Sequence, residues 1–223
     1  MNIIMAQFGP RSSLIEPSFS SFKKFFSDSN FILYTDSNIK IKDVDIKVVK
    51  SPFDKNHYRY GNRNNDYFKV LGLLESTSEL SMCVDNDMVI VSDKVNAIIS
   101  LTKRFGMCIP CNPRYLVSKD TIIGEDSDKV LDESLGTGFA LNMSPISFFN
   151  TNEKCKSILE NYCLEMTKNP VRGPLAMWRA IWKSGTMPCM LPPQWCVCLE
   201  HCGIGEEIIL HVGHDKVKGF YNK

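Results

Sequence analysis

A chain of 223 residues with a net charge of +1 is long enough to bury a substantial core in one domain. Its balanced charge argues against a nucleic-acid partner or an anionic membrane surface. No apolar run approaches the length of a membrane span, and Met1–Met5 lacks the basic and apolar regions of a signal peptide, so a cytoplasmic protein is expected. The nine cysteines are odd in number, and many, such as Cys83, Cys108, Cys189 and Cys198, sit in apolar runs. That pattern suits reduced thiols packed as small hydrophobes. Cys108 and Cys111 have metal-ligand spacing and Cys196, Cys198, His201 and Cys202 cluster, but no pair of regular doublets marks a structural zinc site.

Hydrophobic runs alternate with helical patterns, the signature of an α/β domain. Asn2 to Phe8 reads as a strand closed by Gly9-Pro10, and Phe19 to Phe26 as a short amphipathic helix. Phe31–Tyr34 is a second strand, ending at Thr35-Asp36-Ser37, and Asp45–Val49 a third. From His57 to Ser76 the pattern is helical, with Tyr67, Val70, Leu71 and Leu74 on one apolar face. Arg59, Arg63 and Asp66 fall on a different face, where they can offer charge to a site. Leu80–Val84 is a strand running into Asp85-Asn86-Asp87, and apolar residues resume at Met88. A helix follows near Lys94 to Arg104, then an extended piece from Met107 to Cys111. Ser118 to Glu133 is polar and acid-rich and reads as a loop. Gly136 to Asn142 looks like a strand entered through a glycine turn, and Ser144 to Thr167 is read mostly as helix. Pro174 begins another helix with Leu175, Trp178 and Trp182 on one face. Pro188 to Val197 is extended, and Ile208 to Val212 is a last short strand. The expectation is one domain over residues 1–223, with a nucleotide-binding part to about residue 110 and an acceptor-side part after it.

Asp85-Asn86-Asp87 is the most informative motif. Asp43-Val44-Asp45 and Asp126-Ser127-Asp128 share its spacing but lie in polar sequence; only the pair at 85 and 87 has apolar strand character on both sides. Two acids in such a setting are costly unless a cation neutralises them, and a divalent metal carrying a diphosphate does so. Open α/β sheets bind ligands beyond the carboxyl ends of their strands. Three such ends carry polar groups suited to a nucleotide: Ala6-Gln7-Phe8, Thr35-Asp36 and the Asp85 pair with Asn86 between. Backbone groups at the first can read a base edge, and Asp36 can bond an imide or a ribose. His211-Val212-Gly213-His214-Asp215-Lys216 is the second informative patch. Imidazole with carboxylate suits Mn²⁺ or Zn²⁺ better than Mg²⁺, Lys216 can neutralise a phosphate, and Gly213 permits close backbone approach to one. Either His211 or His214 can be the ligand.

The order strand, Thr-Asp, helix with arginines, apolar strand into Asp-x-Asp, Gly-Thr-Gly strand, Leu191-Pro192-Pro193-Gln194-Trp195 and His…Gly-x-x-Lys resembles nucleotide-sugar glycosyltransferases of the A-type fold. It is closest to glycogenin-like and bacterial galactosyltransferase-like members and to glycosyltransferase domains encoded by chlorella viruses. The resemblance implies a Rossmann-like mixed central sheet flanked by helices. It implies Mn²⁺, with Mg²⁺ as the alternative, held by Asp85, Asp87 and a C-terminal histidine together with the diphosphate of a UDP-sugar. Lys216 would contact that diphosphate, and Gly136-Thr137-Gly138 would line the donor sugar. The acceptor would be a glycan, on a virus structural protein if the viral likeness holds. Where the family often shows Asp-Gln-Asp near the next helix, this chain has Val171-Arg172-Gly173-Pro174; Asp126, Asp128 and Arg172 are therefore the candidates for sugar- and acceptor-side chemistry. Two rivals remain. A sugar nucleotidyltransferase would need a glycine-rich loop after the first strand, and Phe8-Gly9-Pro10-Arg11 imitates one poorly. A non-catalytic carbohydrate- or nucleotide-binding module would use Trp178, Trp182 or Trp195 as stacking faces.

Overall fold

The computed structural model describes residues 1–9, 14–116, 139–168, 173–198 and 205–211. The chain is an α/β fold built on a mixed sheet in the order β3-β2-β1-β4-β8-β6-β7, with β9 pairing alongside β6. The strands are β1 (Asn2–Gln7), β2 (Asn30–Thr35), β3 (Asp45–Val48), β4 (Leu80–Cys83), β6 (Met107–Leu116), β7 (Phe139–Leu141), β8 (Ile146–Phe149) and β9 (Cys189–Leu191). The first four of these run parallel, whereas β8 is antiparallel to both β4 and β6. A separate two-stranded ribbon pairs β5 (Met88–Ile90) with β10 (Ile209–His211). The helices are α1 (Ile15–Phe25), α2 (Tyr60–Glu75), α3 (Ala97–Phe105), α4 (Glu153–Lys168) and α5 (Gly173–Ser184).

The alternation along β1 explains how both faces of the sheet are covered. Ile4 and Ala6 point into a core shared with α2, α4 and α5, while Ile3 and Met5 point into a core shared with α1 and α3. A strand buried on both sides reads as a continuous apolar run, as Ile3–Ala6 does. Close approach of α2 to this sheet requires Gly72: a Cβ there would lie 2.7 Å from Ile4 Cγ2 and 2.8 Å from the Tyr34 ring. Gly106 ends α3 at φ +84°, a conformation that costs a Cβ-bearing residue strain, and its amide closes the helix on the Thr102 carbonyl at 2.8 Å.

Three expectations from the sequence are corrected. The first helix begins at Ile15 rather than Phe19, because Pro17 sits in its first turn, where the missing N–H has no helical partner in any case. Ser144–Phe149 is not helical: Ile146–Phe149 forms β8, and α4 starts only after Asn152, whose side chain accepts from the Cys155 amide at 3.0 Å. A short apolar run cannot be told from a buried helix by periodicity, and the Asn cap was the stronger signal. The buried face of α2 also differs from the apolar stripe read from sequence. It is formed by Tyr60, Arg63, Asn64, Phe68, Lys69, Val70, Gly72 and Leu73, with Tyr67, Leu71 and Leu74 only partly covered. No described helix is long and apolar enough to cross a membrane.

Candidate metal and nucleotide site

Parallel pairing brings the three predicted strand ends to one edge. Gln7 is registered with Thr35, and Ile4 with Cys83, so Ala6–Phe8, Thr35–Asp36 and Asp85–Asp87 emerge side by side. Asn86 fastens this edge: its amide donates to the Ala6 carbonyl at 3.2 Å and to Gln7 Oε1. Ser18 of α1 donates to the Asp85 carbonyl at 3.3 Å. The Phe8 ring is buried and stacked on Phe68, 4.8 Å between centroids, and its amide donates to Asn65 Oδ1 at 2.9 Å. The Thr35 side chain is buried and accepts from the Ser37 amide, while Asp36 is held by the Tyr60 hydroxyl at 2.8 Å.

His211 joins the aspartates through the ribbon. In the β5–β10 pair His211 lies opposite Met88, next in sequence to Asp87. Its Nε2 sits 3.2 Å from Asp87 Oδ1 and 3.6 Å from Asp85 Oδ2. Ligand atoms of Asp85, Asp87 and His211 all fall within 4.8 Å of one another, the one such cluster among the described residues. The set fits a divalent cation. Ligands on a shared ion at about 2.2 Å stand roughly 3–4.5 Å apart, and the buried Asp87 Oδ1 has no hydrogen bond of good geometry. His214 lies outside the described residues, as do Gly213, Lys216, Gly136, Thr137, Gly138, Asp126, Asp128 and Arg172.

The electrostatics are dominated by a residue that the sequence reading passed over. Lys69 of α2 is sealed from solvent, ion-pairs with Asp85, lies 3.5 Å from Asp66 Oδ1, and donates to Ser144 Oγ at 3.0 Å. Burial alone would discharge it, but the carboxylates of Asp85 and then Asp66 hold its ammonium above the ordinary lysine range. Burial likewise opposes charge on Asp85, yet Lys69 and His211 hold that carboxyl well below the usual range. His211 follows the same logic with the opposite sign: against its burial, Asp85 and Asp87 raise the imidazole well above its ordinary value. The signal for Lys69 was a charge in the register of Gly72 and Leu73, three and four residues on, both of which face the sheet.

Cys198, which the sequence suggests is a packed thiol, also stands at this site. The β10 strand brings it close, since the His211 amide donates to the Val197 carbonyl at 3.0 Å. Its Sγ is 3.7 Å from Cys196 Sγ and lies beside the His211 imidazole. The Cys196 hydrogen bond first, and His211 after it, lower the Cys198 thiol to about 5 against the effect of burial. The eight cysteines of the described residues are all free thiols. Of the arginines, Arg63 is buried rather than presented outward, and Arg59 stands just before α2 with its guanidinium 5.3 Å from the Tyr58 ring centroid.

By sequence, the chain matches no protein-family model and no curated protein. By structure it is similar to the galactosyltransferase LgtC solved with donor and acceptor sugar analogues, at TM-score 0.61 and 10% identity over 100% of this chain and 95% of that one. Mouse xyloside xylosyltransferase 1 aligns at TM-score 0.52 and 10% identity over 95% of this chain and 97% of that one. The glycosyltransferase GlyE of Streptococcus pneumoniae TIGR4 aligns at TM-score 0.56 and 14% identity over 95% of this chain and 54% of that one. The fold is that of A-type glycosyltransferases.

Proposed function

We propose that the chain is a metal-dependent glycosyltransferase that moves a hexose or deoxyhexose from a UDP-sugar to a glycan hydroxyl with retention. The observation that carries this reading is the Asp85–Asp87–His211 cluster at the carboxyl edge of the parallel strands, the edge where open α/β sheets take their ligands. Mn²⁺ suits the mixed carboxylate and imidazole donors better than Mg²⁺; bound there, the cation would supply Lewis-acid neutralisation of the leaving diphosphate. Lys69 holds Asp85 ionised and oriented, and His211 completes the donor set from β10. Asp36, fixed by Tyr60, and the backbone of Ala6–Phe8 offer acceptor and donor groups to the nucleoside. Lys216 and Gly213 take the diphosphate, Gly136-Thr137-Gly138 the donor sugar, and Asp126, Asp128 and Arg172 the acceptor side; these roles rest on the sequence resemblance. Arg59 is assigned to the anionic donor on its position just ahead of α2; Arg63, expected from the sequence to join it, is instead part of the buried face of that helix. The two-part division near residue 110, a cytoplasmic setting and a glycan acceptor on a virus structural protein belong to the same reading.

A binding module that stacks sugars on tryptophan is disfavoured by burial: Trp178 and Trp195 are packed into the cores, and Trp182 alone of the three is exposed. The deciding experiment is calorimetric titration of UDP with and without Mn²⁺, followed by UDP-sugar turnover. Metal-dependent UDP binding with transfer supports the proposal, binding without turnover favours the module, pyrophosphate formation identifies a nucleotidyltransferase, and no binding in either condition removes the UDP-sugar reading.

A further inference from the structure

Lys69 is shared by two carboxylates, and only one of them belongs to the metal cluster. Asp66 stands one turn before Lys69 on α2, with Oδ1 3.5 Å from the ammonium. On its other side lies Gly173, the first residue of α5, and a Cβ at that position would overlap the Asp66 carboxylate. The start of α5 is therefore shaped around this group, and the helix's opening turn favours its negative charge. Lys69 is 1% exposed and Asp66 23%, so the cation is sealed while the second carboxylate keeps a face toward solvent.

Neutralising Lys69 does not require Asp66, because Asp85 already ion-pairs with the same ammonium. What Asp66 adds is a second acceptor beside the metal ligands, held by Lys69 on one side and closely bordered by the start of α5 on the other. Two carboxylates paired to one ammonium lie within roughly 6 Å of each other, a span that one sugar ring covers. A carboxylate offers only acceptor sites, and hydroxyl donors make short, strong bonds to it. We infer that Asp66 accepts hydroxyl groups of the donor's hexose and so sets donor-sugar specificity; this rests on the UDP-sugar reading above. Such a role differs from the metal role of Asp85 and Asp87: Asp66 contributes to the sugar and little to the nucleotide.

The test is titration of UDP, UDP-glucose and UDP-galactose, each with saturating Mn²⁺, into the wild type and Asp66→Asn. The expected result is that UDP affinity changes less than about three-fold while affinity for at least one hexose donor falls about ten-fold or more, the loss of a hydrogen bond to a charged group. Equal affinities of wild type and Asp66→Asn for both hexose donors overturn the inference. If the wild type binds no UDP with Mn²⁺, the donor reading itself falls, so the UDP arm separates the two failures. Should Asp66→Asn fail to fold, Gly173→Ala displaces the carboxylate without removing it and is expected to weaken the same hexose donor by a similar factor; unchanged hexose affinity there overturns the inference equally.

Discussion

Two buried ionic clusters share this fold, and they differ in which sign is in excess. Between α4 and α5, Glu165 faces two cations: Arg179 Nη1 lies 3.4 Å from Glu165 Oε2, and Lys183 pairs with Oε1. At the carboxyl edge of the sheet the balance reverses, with Asp66, Asp85 and Asp87 set around Lys69 and His211. A carboxylate surrounded by cations is already neutralised and joins two helices. Carboxylates in excess, with their oxygens converging, form a donor set that fits a divalent ion. The same chemistry thus makes an interhelical tie in one place and a candidate metal site in the other.

Breaking the helical tie has the largest expected cost. Glu165→Gln leaves Arg179 buried without its carboxylate and is expected to lower unfolding stability by about 3–4 kcal/mol, the lower part of the range because Lys183 is half exposed. Chemical denaturation measures it, and UDP binding at a temperature where the variant is folded should be unaffected. Lys69→Met does the equivalent damage at the site, exposing Asp85 and Asp66 to each other, and about 3 kcal/mol is expected without metal. Here the comparison sharpens: added Mn²⁺ replaces the missing charge, so metal should raise the melting temperature of Lys69→Met more than that of the wild type, whereas it should raise that of Glu165→Gln by no more than the wild-type shift.

Asp87→Asn removes a ligand without opening a core. Metal-dependent UDP affinity is expected to fall about 100-fold, roughly 2.7 kcal/mol, while metal-free stability moves by less than about 1 kcal/mol; full Mn²⁺-dependent transfer by this variant would sink the metal assignment. Cys198→Ala has the smallest effect of the series. It removes the thiol beside the His211 ring, and loss of a supporting partner to a ligating imidazole is expected to weaken Mn²⁺ binding about ten-fold, read by metal titration in the absence of nucleotide. An unchanged affinity would assign the Cys198 contact to packing alone.

Much of the scaffold was legible before any coordinates. Continuous apolar runs marked β1 and β4 because strands covered on both faces cannot alternate, and Asp85-Asn86-Asp87 stood out because its acids interrupt such a run. The failures have equally physical origins. The pattern of Ser144–Phe149 suggests helix because a few apolar residues carry no decisive period, and that of α2 favours a face centred on partly covered residues because the true buried face includes Arg63 and Lys69, charges that a hydrophobic pattern counts as solvent.

By itself the sequence determined the α/β class, the strand ends carrying Ala6–Phe8, Thr35–Asp36 and Asp85–Asp87, and the pair of aspartates as an electrostatic anomaly. These are local properties, set by burial pattern and by the cost of acids in apolar surroundings. Only the tertiary structure decided that His211 stands beside the two aspartates, through the β5–β10 register, and that Lys69 and Asp66 flank them. Pairings between residues up to 126 positions apart (211 minus 85) depend on chain topology, which no local pattern encodes.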